Sequence, residues 1–71
     1  MKASIYNPTT DELVLYYFLS DMTVEEACAL IIDMPIEKYV DGITYEEIDE
    51  SHIIQDGDVI YPVIKTDQSS L

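Results

Sequence analysis

A single short helix, marked by signals at both ends, most constrains what this chain can fold into. Thr23 and Glu26 have the spacing of a capping box, in which each side chain bonds the other residue's free backbone N–H. An apolar stripe follows at the helical spacing i, i+3, i+4, i+7, formed by Val24, Ala27, Cys28 and Ile31. Pro35 ends the helix near residue 33 or 34. Because a helix of about ten residues is marginal alone in water, we expect it to pack on a sheet.

Strand-forming runs precede this helix. Residues 2–6 and 13–19 are joined by the turn signal Asn7-Pro8 and predict an antiparallel hairpin, with Ala3 and Ile5 on one face. The run 13–19 is apolar on both faces, which is unusual for a sheet covered on one side. Loops or a dimer partner would cover the second face, so the pattern allows a homodimer. Alternatively, Tyr16 and Phe18 form an exposed aromatic contact patch.

Further strand-forming runs follow the helix. The Asp41-Gly42 pair lies between residues 36–40 and 43–45 and predicts a second hairpin with a type I′ turn. Residues 46–51 predict a turn or one loose helical turn. A second Asp-Gly pair precedes a last strand over residues 59–64, where Pro62 lacks an N–H and must face an edge or an unpaired gap.

The expected fold class is therefore α+β, a β-β-α-β-β mixed sheet with one helix packed on one face. We expect a single β-grasp-like domain over residues 1–64 and a flexible polar tail over residues 65–71. This order of elements is that of the β-grasp fold of ubiquitin.

The second half resembles one branch of that fold. KYVDGITYEEIDESHIIQDGDVIYPVI, residues 38–64, is similar to the C-terminal part of the ubiquitin-like sulfur carriers of thiamine and molybdopterin biosynthesis. The matching positions are Asp41-Gly42, Ile54, Asp56-Gly57-Asp58 and Pro62-Val63. Those carriers act through a C-terminal Gly-Gly, whereas the two glycines of this chain are Gly42 and Gly57. We therefore expect neither sulfur transfer nor conjugation.

The charge balance restricts the partners. Fifteen acidic residues face three lysines, which gives a formal net charge of −12 on 71 residues. Such a chain repels nucleic acid and anionic membranes, so we expect a basic protein surface as its partner, with no direct nucleic acid or membrane binding. The single cysteine excludes an internal disulfide, and no apolar run suits a signal peptide or a membrane span. We expect a cytoplasmic protein.

Catalytic, cofactor and metal sites are not expected. Counting from Asp41 or Asp56 places apolar or aromatic residues where a calcium loop needs oxygen ligands, which leaves only weak, nonspecific divalent binding open. Cys28 lies on the apolar stripe of the helix, and His52 is the only histidine, so neither a zinc set nor a nucleophilic triad is assembled. We expect no enzyme.

The stretch from residue 41 to residue 58 contains seven carboxylates and no basic residue. One interpretation is a solvated face combined with Asp-Gly turn chemistry. The other is a surface that imitates the phosphates of a nucleic acid and occupies the basic groove of a nucleic-acid-binding protein. The predicted partner-binding residues are Asp41, Tyr45, Glu46, Glu47, Asp49, Glu50, Asp56 and Asp58.

Three functional hypotheses follow. The first is a small acidic binding protein that inhibits or modulates a nucleic-acid-binding protein, for example a phage-type anti-defence inhibitor. The alternative is a non-conjugating ubiquitin-like adaptor or subunit that docks through its sheet and its aromatic residues, with Tyr16 and Phe18 as the secondary patch. A third reading is a sulfur-carrier relative that regulates a biosynthetic enzyme without transferring sulfur.

Overall fold

A computed structural model describes residues 1–65 as a five-stranded mixed sheet with one helix. The elements are β1 (Lys2–Asn7), β2 (Glu12–Tyr17), α1 (Val24–Ile31), β3 (Ile36–Asp41), β4 (Glu47–Ile48) and β5 (Asp58–Ile64). The strands lie in the order β2-β1-β5-β3-β4, with β1 and β5 parallel and the other neighbours antiparallel. The predicted α+β class with a mixed sheet and one helix is confirmed, and β4 is a strand that the sequence did not predict.

The first hairpin joins β1 to β2 through the turn that Asn7-Pro8 predicts. Asn7 Oδ1 accepts a hydrogen bond from the Thr9 N–H at 2.9 Å, and the Asp11 N–H donates to the Asn7 carbonyl at 2.8 Å. Asp11 has a φ of 58°, a left-handed conformation that Asp tolerates better than most residues. β2 ends at Tyr17, earlier than the predicted residue 19.

α1 begins where the capping box predicts. The Thr23 hydroxyl accepts from the Glu26 N–H at 3.1 Å, and the Thr23 N–H donates to Glu26 Oε1 at 3.0 Å. The buried side chains of its apolar stripe are Val24, Ala27 and Cys28. The helix ends at Ile31, before Pro35. Within residues 1–65, no helix is long and apolar enough to cross a membrane.

The core lies between α1 and the sheet face that carries Ala3 and Ile5, as the sequence predicts. The fully buried side chains of the strands and the last loop include Ile5, Ile54 and Ile60. Directly opposed residues of neighbouring strands share a face. Val14 and Tyr16, which pair with Ile5 and Ala3, therefore also point towards the helix. On the opposite face of β2 lie the exposed residues Leu13, Leu15 and Tyr17.

The second hairpin is longer than the prediction. β3 pairs with β4 through Tyr39 opposite Ile48 and Val40 opposite Glu47. Residues 43–45, predicted as the returning strand, instead form the turn.

The predicted type I′ turn at Asp41-Gly42 is wrong, because Gly42 does not adopt a positive φ. The Asp41 carboxylate accepts hydrogen bonds from the N–H groups of Ile43 at 2.7 Å and Thr44 at 3.1 Å. This side-chain bonding shapes an Asx-type turn. The positive φ, 65°, falls on Tyr45 instead.

β5 is a central strand, although it contains a proline. Pro62 pairs with Tyr39 of β3, while the pairing of β5 with β1 ends at Ile60 opposite Ile5. Beyond Ile60 the β1 side has no described ladder partner, which supplies the unpaired gap that the missing N–H requires. Of the predicted polar tail, only Lys65 is described, and its N–H donates to the Pro35 carbonyl at 2.9 Å. Residues 66–71 lie outside the described part of the chain.

Candidate acidic interface

An open groove of about 270 Å³ runs along the outer edge formed by β3 and β4. We call it the acidic groove, and its lining side chains are Glu37, Lys38, Tyr39, Glu47, Ile48, Asp49 and Glu50. Four carboxylates therefore face a single lysine around one concave surface. Clustered charges of one sign along a cleft focus the electric field and attract ions and surfaces of the opposite sign.

The acidic segment is held firmly to the rest of the fold. After β4, the carbonyls of Glu50 and His52 accept the N–H groups of Glu25 at 3.2 Å and Val24 at 2.8 Å. These are free donors of the first helical turn, which a helix start always leaves unpaired. Farther along, Ile54 is fully buried, and its N–H donates to the Met22 carbonyl at 2.9 Å. The segment is therefore a structured support rather than a loose acidic linker.

Several predicted acidic residues have local structural bonds. Asp49 Oδ1 accepts from the Ser51 N–H at 2.9 Å and from the Ser51 hydroxyl at 2.8 Å. These bonds hold the pKa of the Asp49 carboxyl below its ordinary value. Asp49 therefore has a local structural role, whereas Glu46, Glu47 and Glu50 are exposed and their carboxylates accept no hydrogen bond described within residues 1–65.

Asp56 and Asp58 lie away from the acidic groove, at the start of β5 beside β1. Asp56 Oδ1 accepts from the Lys2 N–H at 2.8 Å. Asp58 Oδ2 accepts from the Gln55 N–H at 2.8 Å and lies 3.1 Å from His52 Nε2. The eight predicted binding residues thus do not form one continuous site, and the structure brings together only Glu47, Asp49 and Glu50 in the acidic groove. Glu46 is nearby, since its carbonyl accepts from the Asp41 N–H at 2.8 Å.

Two tyrosines of this region have opposite environments. Tyr39 is only 8% exposed and belongs to the core, so its ring is not available as an aromatic anchor for a partner. Burial raises the pKa of its hydroxyl, and coulombic interactions with Cys28, Glu25 and Glu50 raise it further. Tyr45 is 81% exposed at the tip of the hairpin and remains available as a partner contact.

Sequence reasoning missed Glu37, which lines the acidic groove from β3. A second groove of about 410 Å³ shares Tyr39 with it and adds Glu25 and Asp33 on the helix side. These acids are distant in sequence from the 41–58 stretch. Period-two alternation could not have placed Glu37 there, because the register of β3 against β5 shifts between Ile36 and Lys38.

Tyr16 and Phe18 are partly buried and pack against the core cluster. They lie beside an open apolar groove of about 360 Å³ at the end of β2, next to the exposed Leu19 and Leu30. The exposed hydrophobic side chains of this strand are instead Leu13, Leu15 and Tyr17.

Cys28 and His52, the candidate nucleophile and the candidate base, both occupy structural positions. Cys28 is buried, and burial raises the pKa of its thiol to about 12, so the reactive thiolate is not formed near neutral pH. His52 bonds Asp58 at the end of a structural turn. Within residues 1–65, no group of three His, Cys, Asp or Glu side chains is arranged to hold a metal ion.

Comparisons with protein-family models, with curated proteins and with solved structures found no match to this chain.

Proposed function

We propose that this chain acts in the cytoplasm as a small acidic binding protein that inhibits or modulates a nucleic-acid-binding protein. The observation that carries the proposal is the acidic groove, where Glu37, Glu47, Asp49 and Glu50 surround one lysine. The chain as a whole carries a net charge of −12, and at this edge its carboxylates form a concave, preorganised anionic surface. A basic groove that normally binds phosphates offers the matching surface, and charge complementarity of this kind gives fast, salt-sensitive association.

The rigidity of the support favours mimicry over nonspecific charge. β4 is paired to β3, and the following segment is bonded to the start of α1. Carboxylates on such a support are held in place before binding, so less conformational entropy is lost on association than with a disordered acidic tail. The role proposed is binding without catalysis, without a cofactor and without a structural metal.

We also propose that the fold is β-grasp-like. Support comes from the β-β-α-β-β frame, from the parallel pairing of the first and last strands at the centre of the sheet, and from the single helix on one face. The likeness of residues 38–64 to sulfur carriers is a weaker part of the proposal, because the Asp41-Gly42 hairpin does not form the turn on which part of the likeness rested.

The test uses capture and competition. The immobilised chain is exposed to a lysate of its host, and the bound protein is challenged with duplex DNA and with single-stranded RNA. Mimicry predicts that one of these nucleic acids releases the bound protein, because both ligands need the same basic groove. It also predicts that the affinity falls steeply as NaCl is raised.

Two variants of equal charge locate the surface. The groove variant lowers the net charge of the chain from −12 to −9 by removing three carboxylates of the acidic groove. Its substitutions are Glu37→Gln, Glu47→Gln and Glu50→Gln. The control makes Glu12→Gln, Asp21→Asn and Asp33→Asn, which removes the same number of carboxylates at exposed sites outside the acidic groove. The groove variant is expected to bind at least about tenfold more weakly and the control to bind nearly as the parent. The proposal is wrong if both variants lose the same amount of affinity, or if nucleic acid does not release the captured protein.

One observation favours a second candidate function, that of an adaptor or subunit that docks through its sheet. The face opposite the helix exposes Leu13, Leu15 and Tyr17, with Tyr61 farther across the same sheet. Apolar docking depends little on salt, so in this case the groove variant would bind normally. Substituting Tyr17 by Ser would break the complex, whereas the half-buried Tyr16 and Phe18 would act mainly through stability.

A further inference from the structure

β2 leaves one edge of the sheet open. The strand order places β2 at one end and β4 at the other, and no described strand of residues 1–65 pairs with the outer side of β2. β4 has only two residues, which is one way in which proteins protect an edge. β2 reads ELVLYY, without lysine or proline, and its register with β1 runs without a bulge. Beyond Glu12 at its start, it therefore lacks the charged side chains, prolines and bulges that prevent pairing with another strand.

The outward-pointing backbone groups of β2 can be identified. Phe18 and Met1 exchange both hydrogen bonds, with the Phe18 N–H donating at 2.7 Å and the Met1 amino group donating at 2.9 Å. In an antiparallel pair, bonded residues alternate along the strand. Tyr16 and Val14 therefore also bond inwards to β1, and the N–H and C=O groups of the alternate residues point outwards. The outward residues are Leu13, Leu15 and Tyr17.

The same three residues carry the exposed side chains of the strand. Tyr17 is 72% exposed, Leu15 50% and Leu13 48%. On the helix side of the edge, Leu19 and Leu30 are also exposed beside the apolar groove of about 360 Å³. Unpaired backbone groups and apolar surface thus coincide along one edge and on both of its sides.

We propose that β2 pairs antiparallel with β2 of a second copy of this chain, about a two-fold axis at Leu15. Only residues whose N–H and C=O groups point outwards can form hydrogen-bonded pairs with the second copy. With the axis at Leu15, all three outward residues of each copy form such pairs. Leu13 then lies opposite Tyr17 of the second copy, and Leu15 lies opposite its own equivalent. Each pair exchanges two hydrogen bonds, and the two five-stranded sheets join into one continuous sheet.

The charge distribution along β2 leaves this register free of directly opposed carboxylates. Glu12 is the only charged residue of β2, and in this register it lies opposite Phe18 of the second copy. No carboxylates are directly opposed, although each copy carries −12. The acidic groove lies at the other end of the strand order. The remaining long-range repulsion is screened by salt, so dimerisation should strengthen as NaCl is raised.

Sedimentation equilibrium at low and high NaCl tests the proposal with the full chain. The parent is expected to dimerise, with a dissociation constant that falls as salt rises. Leu15→Lys places two lysines opposite each other at the axis and is expected to weaken the dimer about a hundredfold or more. Ile43→Lys makes the same charge change at a 66% exposed residue outside the strands and should leave the dimer intact.

Amide hydrogen exchange provides a readout that needs no variant. The amides of Leu13, Leu15 and Tyr17 should exchange quickly in the monomer and slowly in the dimer, while Val14 and Tyr16 stay protected in both. Leu15→Pro removes only an outward N–H, which an edge strand tolerates, and should abolish the dimer. A chain that stays monomeric at high concentration and high salt overturns the inference. A dimer that survives both Leu15 substitutions, or whose three amides remain unprotected, overturns it as well.

Discussion

Gly42 is required by its neighbours rather than by its backbone conformation, and Gly42→Ala tests this. A Cβ at this position would lie 2.5 Å from Val59 Cγ1 and 2.7 Å from two carbons of the Tyr61 ring. Separations under 3 Å force atoms to move. The Tyr61 ring cannot easily retreat, because it stacks on Tyr6 at a centroid distance of 5.0 Å, and the Tyr6 hydroxyl donates to Asp11.

The expected cost follows from this crowding. Inserting a methyl group into a packed site costs about 1–3 kcal/mol. For a domain of this size, each 1 kcal/mol lowers the melting temperature by roughly 4–8 °C. We therefore expect Gly42→Ala to lower the free energy of unfolding by about 2 kcal/mol. The chain-entropy gain from replacing glycine with alanine, about 0.4–1 kcal/mol, offsets only part of the clash.

Urea unfolding of a double-mutant series measures the effect and its cause. In a background with Val59→Ala and Tyr61→Ala, the clashing atoms are gone and Gly42 has no positive φ. There Gly42→Ala should be neutral or stabilising by up to about 1 kcal/mol. Gly57→Ala is the control: its φ of 91° makes alanine strained, with no atom within 4 Å of the added Cβ, so its cost should be the same in both backgrounds. A cost for Gly42→Ala that persists without Val59 and Tyr61 would refute the reasoning.

Four further predictions follow from the helix cap and from two shifted pKa values. Thr23→Ala removes the acceptor of the capping box and should cost about 1 kcal/mol in urea unfolding, whereas Thr23→Ser should be nearly neutral; equal losses would contradict a capping role. Because burial raises the pKa of Cys28 to about 12, a disulfide reagent at mildly alkaline pH should label it only as fast as the fold opens, and immediate labelling would show an accessible thiol. Ser51→Ala should raise the pKa of Asp49 in an NMR titration, because it removes the Ser51 hydroxyl bond and leaves only the backbone N–H bond to hold that pKa down. Since the folded pKa lies below the unfolded one, the Asp49 contribution to stability is present above the unfolded pKa and is lost as pH falls through the folded pKa, so Asp49→Asn should flatten the acid limb of the stability curve.

The first half of the fold could be predicted because its signals are local. The capping box at Thr23 needs only a spacing of three residues, and the apolar stripe needs only the helical period. The turn at Asn7 likewise depends on one side chain that bonds its own backbone. Each of these signals is complete within a short window, and the structure confirms each one.

The second half could not be predicted in detail because its geometry depends on distant contacts. Asp-Gly normally signals a type I′ turn, but here the Gly42 N–H donates to the Val59 carbonyl at 2.8 Å, and its missing side chain makes room for β5. The same residue pair at Asp56-Gly57 does take a positive φ, at Gly57. Identical dipeptides therefore differ because one packs on a central strand and the other faces solvent.

The acidic site was predicted in part for the same reason. Glu47, Asp49 and Glu50 are close in sequence, so a charge count was enough to group them. Glu37 joins them only through the pairing of β3 with β4, which rests on two residue pairs. Asp56 and Asp58 were grouped with them by sequence proximity, whereas the chain between the two sets is buried at Ile54 and Asp56 bonds Lys2 of β1.

The two proposals make joint demands on a partner, because the acidic groove and the β2 edge lie at opposite ends of the strand order. In a dimer joined through β2, nine interstrand spacings of about 4.8 Å separate the two β4 strands by roughly 43 Å. One partner with a long basic groove could then contact the acidic grooves of both copies only if the twist of the joined sheet turns them to the same side. Otherwise each acidic groove must bind a separate partner molecule. Salt separates the two contacts, since screening weakens the groove complex and strengthens the dimer. The stoichiometry measured at a salt concentration where both contacts form therefore tells whether the acidic grooves act together or independently.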